Sequence, residues 1–180
     1  WSAGSDVYKG QGHNWPTRWA DTCGGVKPDV ALLVIGWPGH TTRFVDGEWR
    51  GPCDPAFERF YEGEVREALK VLHAQGTKVA FTTVPYYRSP KSPEGTDAKT
   101  DCLNKMYKRL SSETNTTIID LAQYVCPGGT CRTEDNGVAI RPDGRHFDGP
   151  SGTCIGAWVL DRPLEPLVNG SGPGASPVPQ

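Results

Sequence analysis

The sequence lacks a long apolar run. No stretch of its 180 residues approaches the roughly 20 apolar residues that cross a bilayer, and the first residues show no basic region followed by an apolar core. We therefore expect no direct insertion of this chain into a membrane. The net charge of -2 gives no reason to expect nucleic acid as a partner, because proteins that bind it usually carry a basic excess.

The sequence also lacks a Cys-x-x-Cys pair, which makes a zinc cluster a weak interpretation of its six cysteines and disulfides a better one. Cys126 and Cys131 form the best candidate bridge, because the Pro-Gly-Gly turn between them can bring the two sulfur atoms together. The other pairings stay open. Bridges would place the domain outside the cytoplasm, in the cell envelope or secreted, and no pattern predicts a metal or a cofactor.

What the sequence does contain is an aspartate three residues before a histidine, Asp143 and His146, in a turn that includes Gly144. A carboxylate that orients an imidazole makes it a general base, as in serine hydrolases. We therefore predict Asp143 and His146 as catalytic residues. The alternative is a turn histidine that merely bonds to a nearby carboxylate.

Short apolar segments alternate with amphipathic ones along the chain. Residues 30–35 are continuously apolar, as is typical of a strand buried on both faces of a parallel sheet. Further strands are predicted at 78–84 and 117–120, and helices after Asp54, around 103–110 and at 151–160. This order predicts a three-layer α/β/α domain with a mainly parallel sheet, although such a sheet normally has more than three strands.

Ligands of such folds bind at the carboxyl ends of the strands, and two predicted loops begin there. The first loop contains Gly36, Trp37, Gly39 and His40, and the second contains Tyr86. We predict the first three as pocket or oxyanion residues, and Trp37, His40 and Tyr86 as substrate-binding residues. The domain is expected to span residues 1–168, followed by a disordered tail at 169–180 that is rich in Gly, Ser and Pro.

The turn from Asp143 to Phe147, followed by Gly152, resembles the last block of the SGNH, or GDSL-type, hydrolases, in which Asp precedes His by three residues. Other segments resemble the extracytoplasmic SGNH domain of actinobacterial membrane acyltransferases, of the acyltransferase 3 family: Lys27–Asp29 with the strand to Trp37, Asp46–Trp49, Cys53–Phe57, Leu103–Asn104, Ile119–Leu121 and Cys126–Gly129. The resemblance implies a flavodoxin-like fold and a Ser-His-Asp mechanism that moves acyl groups on or off cell-envelope carbohydrates. It also implies an acylated carbohydrate or acyl donor, and a membrane acyltransferase domain, as partners.

The sequence departs from that family in two places. The Gly-Asp-Ser block that carries the nucleophile has no counterpart, and Ser5 is a poor candidate because no apolar strand precedes it. The third block would fall at Gly36–Gly39, where no Asn stands, so an oxyanion hole would need glycine amides or another side chain. Either an upstream segment supplies the serine and a central strand, or the chain has lost its nucleophile.

Three functions remain open at this point: an O-acyltransferase or esterase domain whose serine lies outside the matched region, a secreted carbohydrate esterase, and an inactive SGNH-like module that binds glycan or a membrane partner.

Overall fold

The computed structural model describes residues 15–169, apart from the side chains of Trp15, Trp37, Pro38, Arg162 and Pro163. Ser5 and the tail beyond Asn169 lie outside the described residues. The helices are α1 Trp15–Val26, α2 Pro55–His73, α3 Thr96–Thr114, α4 Leu121–Val125, α5 Gly149–Val159 and α6 Glu165–Val168. The strands are β1 Val30–Leu33, β2 Arg43–Val45, β3 Glu48–Arg50, β4 Lys78–Thr82, β5 Thr117–Ile119, β6 Glu134–Asp135 and β7 Val138–Ala139.

The predicted parallel sheet is confirmed. Its order among the described residues is β1-β4-β5, and both pairings are parallel. Val30 pairs with Lys78 at the start of β1, and Thr82 pairs with Ile119 at the end of β5. Two short antiparallel hairpins, β2–β3 and β6–β7, stand apart from this sheet; sequence reasoning did not predict them.

The alternation of side chains along β4 divides the core into two clusters. Val79 and Phe81 belong to a cluster with α2 and α3, whereas Ala80 belongs to a second cluster with α4 and α5. Because successive strand residues point to opposite faces, the two clusters lie on opposite sides of the sheet. The expected three-layer α/β/α arrangement is therefore the observed one.

The prediction that β1 is buried on both faces is wrong. All four of its residues are half-buried, and Val34, directly after the strand, is 63% exposed. The reason is position in the sheet, because β1 has β4 as its strand neighbour on one side and no second strand among the described residues. The buried strand is β4, whose last four residues are all buried.

Local signals placed α2 correctly and located α3, but they missed the start of α3. The Asp54 side chain accepts hydrogen bonds from the amides of Ala56 and Phe57 at the start of α2 and so caps the helix predicted after it. Helix α3 begins at Thr96, ahead of the segment predicted as helical around 103–110, and follows Gly95 with a φ of 74°. A single left-handed glycine, which turns the chain sharply, sets that boundary.

The predicted Cys126–Cys131 disulfide is present, with an S–S distance of 2.06 Å. A second bridge joins Cys53, just before α2, to Cys102 in α3, and Cys23 and Cys154 are free thiols. Both bridges favour an oxidising environment. In the described part of the chain, every helix is too short or too polar to cross a membrane.

Candidate active site

Asp143 and His146 form a tightly bonded pair. Oδ2 of Asp143 lies 2.6 Å from Nδ1 of His146, and Oδ1 accepts the backbone amides of Arg145 and His146 at 2.9 Å each. These hydrogen bonds, the amide of His146 first, hold the pKa of the Asp143 carboxyl well below its ordinary value. The carboxylate is therefore charged at any pH near neutrality and favours the proton on Nδ1, which leaves Nε2 as the ring's basic nitrogen.

Gly144 fixes this turn against the loop that follows β4. The amide of Arg88 donates to the carbonyl of Gly144 at 2.9 Å. Gly144 has a φ of +77°, and a Cβ placed there would lie 2.4 Å from backbone atoms of Arg88 and Ser89. Only glycine satisfies both the left-handed backbone and the close approach, so this residue positions the turn that contains Asp143 and His146.

The His146 side chain is 74% exposed and stands at the edge of a cleft of about 500 Å3 at the carboxyl ends of β1 and β4. The walls are mainly apolar and include Val34, Ile35, Val84, Leu121 and Phe147. Open α/β sheets bind ligands at this edge. The arrangement therefore places the imidazole of His146 beside an apolar cleft.

The side chain of Asn104, in α3, forms two hydrogen bonds with the backbone of Val84, which lines the cleft. Its side-chain oxygen accepts the amide of Val84 at 2.7 Å, and its side-chain nitrogen donates to the carbonyl of Val84 at 2.9 Å. A neighbouring bond joins the Thr83 hydroxyl to the carboxylate of Asp120, the residue that caps α4. The chain leaving β4 is thus fixed by side chains from two helices.

Two charged side chains that line the cleft, Arg141 and Arg145, were missed by sequence reasoning. Arg141 is 5% exposed, and its Nη1 donates to the carbonyl of Tyr86 at 2.9 Å. Its guanidinium lies over the Phe147 ring, and burial lowers its pKa. The sequence signal that could have found both arginines is their place on either side of Asp143 in the same turn.

The residues predicted around the first loop have different positions. Gly36 lines the cleft. Gly39 is not among the lining residues, and its amide donates to the carbonyl of Gly36. His40 is 5% exposed, its Nε2 lies 2.8 Å from the Thr100 hydroxyl, and burial lowers its pKa to about 4. His40 therefore lies inside the protein rather than on the cleft wall, while the side chain of Trp37 is outside what the structure describes.

Tyr86 points away from the cleft, and its neighbour Tyr87 lines it. The hydroxyl of Tyr86 donates to Asp101 of α3, and this hydrogen bond raises its pKa to about 12. The two adjacent tyrosines leave the chain in different directions, so the structure assigns to Tyr87 the place that was predicted for Tyr86.

Within residues 15–169, the hydrogen-bond partner of the His146 ring is Asp143, and no serine hydroxyl is bonded to it. The structure thus contains a bonded Asp–His pair without a serine bonded to the ring among the described residues. In the same part of the chain, no cluster of His, Cys, Asp or Glu side chains is placed to hold a metal ion.

Comparison with solved structures supports the α/β fold. Among solved structures, the chain is similar to a lipase/acylhydrolase from Enterococcus faecalis, with 21% identity, a TM-score of 0.53, and coverage of 85% of this chain and 68% of the other. An acetyl xylan esterase, AlAXEase, is 19% identical with a TM-score of 0.49, over 80% and 72% of the two chains. The sequence matches the family described as "Protein of unknown function (DUF459)" over residues 5–160, and the chain belongs to that family. None of the curated proteins matches it.

Proposed function

We propose that this domain catalyses acyl transfer or ester hydrolysis on a carbohydrate of the cell envelope, with His146 as general base and Asp143 as the group that orients it. The observation that carries the proposal is the 2.6 Å contact between these side chains at the edge of an apolar cleft. The fold shared with a lipase/acylhydrolase agrees with this chemistry.

The proposed reaction follows from the geometry of the pair. Nε2 of His146 takes the proton from a serine hydroxyl, and the serine oxygen attacks the ester carbonyl. The imidazolium, stabilised by Asp143, then protonates the leaving alcohol as the ester C–O bond breaks. The acyl group remains on the serine until a sugar hydroxyl or water, deprotonated by the same imidazole, accepts it and releases the serine.

The serine of this mechanism would come from outside residues 15–169. The position of β1 supports this part of the proposal, since its half-buried apolar residues form a sheet edge that can pair with a further parallel strand. A strand beside β1 would end at the same edge of the sheet as Gly36 and His146. Parallel strands present their carboxyl ends together, so a serine following that strand would face the imidazole.

We propose that the backbone amide of Gly36 stabilises the developing oxyanion. Gly36 lines the cleft, and the amide of Gly39 is already bonded to the Gly36 carbonyl. Loss of one oxyanion donor typically lowers the rate about a hundredfold or more. A chain that lacks the Asn of the third SGNH block therefore needs another donor here.

The biological setting proposed is extracytoplasmic. The two disulfides support an oxidising compartment, and the family resemblance suggests a membrane acyltransferase domain as a partner. Whether the acyl-enzyme meets a sugar hydroxyl or water would decide between transferase and esterase.

A second candidate function is a non-catalytic SGNH-like module that binds glycan or a membrane partner. The observation that favours it is the ring of His146, which has no serine partner within the described residues. The two functions make opposite predictions for a reagent that reacts only with activated serine.

The experiment is labelling of the full chain with a fluorophosphonate, followed by intact mass and peptide mapping. The catalytic proposal predicts one labelled serine in the wild type and none in His146→Ala. His73→Ala is the matched control, because His73 lies at the end of α2 and bonds to the carbonyl of Thr77 instead. Absence of labelling in the wild type would contradict the presence of an activated serine in this chain, as expected for a binding module or for a serine supplied by an upstream segment.

A further inference from the structure

We propose that the Cys126–Cys131 bridge is a redox-active site that reacts with a dithiol, and that Arg141 stabilises the Cys126 thiolate released when the bridge is reduced. Arg141 lines the cleft, but the site takes no part in the proposed acyl chemistry, so the inference goes beyond the proposed function and does not depend on it. The Cys53–Cys102 bridge serves as the structural counterpart for comparison.

The first observation is the contact between the Arg141 guanidinium and one sulfur of the bridge. Nη2 of Arg141 donates to Sγ of Cys126 at 3.4 Å. Both residues are buried, with exposed fractions of 5% and 3%. The other contacts of the guanidinium are uncharged, since Nη1 donates to the carbonyl of Tyr86 and the group lies over the ring of Phe147. A positive charge is therefore held against the Cys126 sulfur and away from solvent.

The second observation is that Arg141 forms no ion pair among residues 15–169, and that its Nε is buried without a hydrogen-bond partner. The carboxylate of Asp143 attracts it but is bonded to His146 instead. Buried arginines are normally paired with an anion, because an isolated buried charge is unfavourable. A disulfide sulfur is uncharged, whereas a thiolate at Cys126 would give Arg141 a negative partner. The reduced form of the bridge is stabilised by this pairing.

The third observation concerns the other sulfur, that of Cys131. It lies 3.7 Å from the carbonyl oxygen of Tyr86. A disulfide sulfur has no hydrogen to donate, but a Cys131 thiol would donate to this carbonyl. Cys131 is also half-buried rather than fully buried like Cys126. Each sulfur thus lies beside a partner that suits its reduced form, and Cys131 is the one that a reductant can reach.

Two further cations lie near the turn between the two cysteines, and both are exposed. Arg88 donates to a carbonyl of this turn and is paired with Asp97. Arg132, directly after the turn, lies near Asp135. Solvent and carboxylates screen these two charges. Arg141 is therefore the cation expected to act on the bridge, since a neighbouring guanidinium lowers the pKa of a cysteine thiol.

The proposed reaction is a thiol–disulfide exchange with a dithiol. Its first thiolate attacks Sγ of Cys131, and the S–S bond breaks with its electron pair on Cys126, which leaves as a thiolate beside Arg141. The second thiol of the reductant loses its proton to solvent and attacks the reductant's first sulfur. This step releases the Cys131 sulfur, which takes up a proton. The protein gains two electrons, and the dithiol becomes a disulfide.

The test is equilibration of the folded, full chain with mixtures of reduced and oxidised dithiothreitol at neutral pH. Acid quenching, alkylation and peptide mapping give the reduced fraction of each bridge separately from the free thiols Cys23 and Cys154. The Cys126–Cys131 bridge is expected to open at a ratio of reduced to oxidised reagent about tenfold lower than the Cys53–Cys102 bridge. This difference corresponds to about 30 mV for a two-electron couple. Glutathione, a monothiol, is expected to form its mixed disulfide on Cys131.

The variants assign the effect to Arg141. Arg141→Gln is expected to raise the ratio needed to reduce the Cys126–Cys131 bridge about tenfold, and Arg141→Lys, which keeps the charge, is expected to restore part of this loss. Arg132→Gln is the matched control, because it changes the net charge equally and adjoins Cys131, but removes a side chain that lies over Tyr124. Circular dichroism establishes which variants are folded. If Arg141→Gln unfolds, the two wild-type measurements decide the test.

The proposal is overturned if both bridges of the wild type open at the same ratio, if Cys53–Cys102 opens first, or if glutathione attaches to Cys126. It is also overturned if a folded Arg141→Gln keeps the wild-type ratio. Failure of the catalytic proposal is distinguishable, because the order in which the bridges open is measured without any labelling of serine.

Discussion

One carboxylate, that of Asp143, holds both the ring and the backbone of His146. Oδ2 contacts Nδ1 at 2.6 Å, while Oδ1 accepts the amide of the same histidine at 2.9 Å. The imidazole is therefore fixed relative to its own main chain, and Gly144 fixes that main chain relative to the loop after β4. The predictions below test the parts of this assembly and the scaffold that supports it.

Asp143→Asn is expected to slow fluorophosphonate labelling by about a hundredfold or more. The side-chain oxygen of an asparagine can still accept hydrogen bonds from the backbone amides, but without a negative charge it cannot stabilise an imidazolium. The rate of label incorporation, followed by mass, measures the effect. Asp135→Asn is the control, since that carboxylate accepts the Tyr124 hydroxyl and lies outside the turn; equal rates for the two variants would rule out the orienting role.

Gly144→Ala is expected to destabilise the fold more than Gly137→Ala. Both glycines have a φ of +77°, but a Cβ at Gly144 would meet the backbone of Arg88 and Ser89, whereas a Cβ at Gly137 meets nothing within 4 Å. The shared backbone strain costs about 1–2 kcal/mol, and the steric clash at Gly144 adds about 1–3 kcal/mol. Urea unfolding of both variants measures the difference, and equal losses would show that the contact is unimportant.

Removal of the Cys53–Cys102 bridge is expected to cost more stability than removal of Cys126–Cys131. The bridges span sequence separations of 49 and 5 residues, for which loop-closure entropy predicts about 4 and about 2 kcal/mol. Double Cys→Ala variants, compared by urea unfolding, test this order. Unreduced, denatured protein should alkylate only at Cys23 and Cys154; labelling of other cysteines would refute the pairing.

Because of His40, the free energy of unfolding is expected to fall as the pH is lowered from 6.5 to 4. The ordinary pKa of a histidine side chain is 6.5, whereas that of His40 in the folded protein is about 4, chiefly because of burial. A histidine pKa that is lower in the folded than in the unfolded protein favours the folded state above pH 6.5. This contribution to the free energy of unfolding, at most about 3 kcal/mol, is lost as the pH falls to 4. Urea unfolding at pH 7 and pH 4.5 should show a smaller loss in His40→Gln than in the wild type. An identical loss would contradict this account.

The sequence by itself determined the features that depend on neighbours along the chain. The spacing of Asp143 and His146 is enough to bring them together, because the carboxylate binds amides two and three residues ahead. The Cys126–Cys131 bridge closes a short turn, and Asp54 caps the helix that it precedes. Chain connectivity restricts such contacts to a few geometries, so sequence patterns can predict them.

Only the tertiary structure decided the contacts between distant segments. It paired Cys53 with Cys102, placed Tyr87 rather than Tyr86 in the cleft, and buried Arg141 against Tyr86. It also left β1 half-buried at a sheet edge, although its apolar run is typical of a buried strand. The physical reason is that burial and pairing depend on which surfaces pack together in the folded chain, and residues close in sequence do not determine that packing.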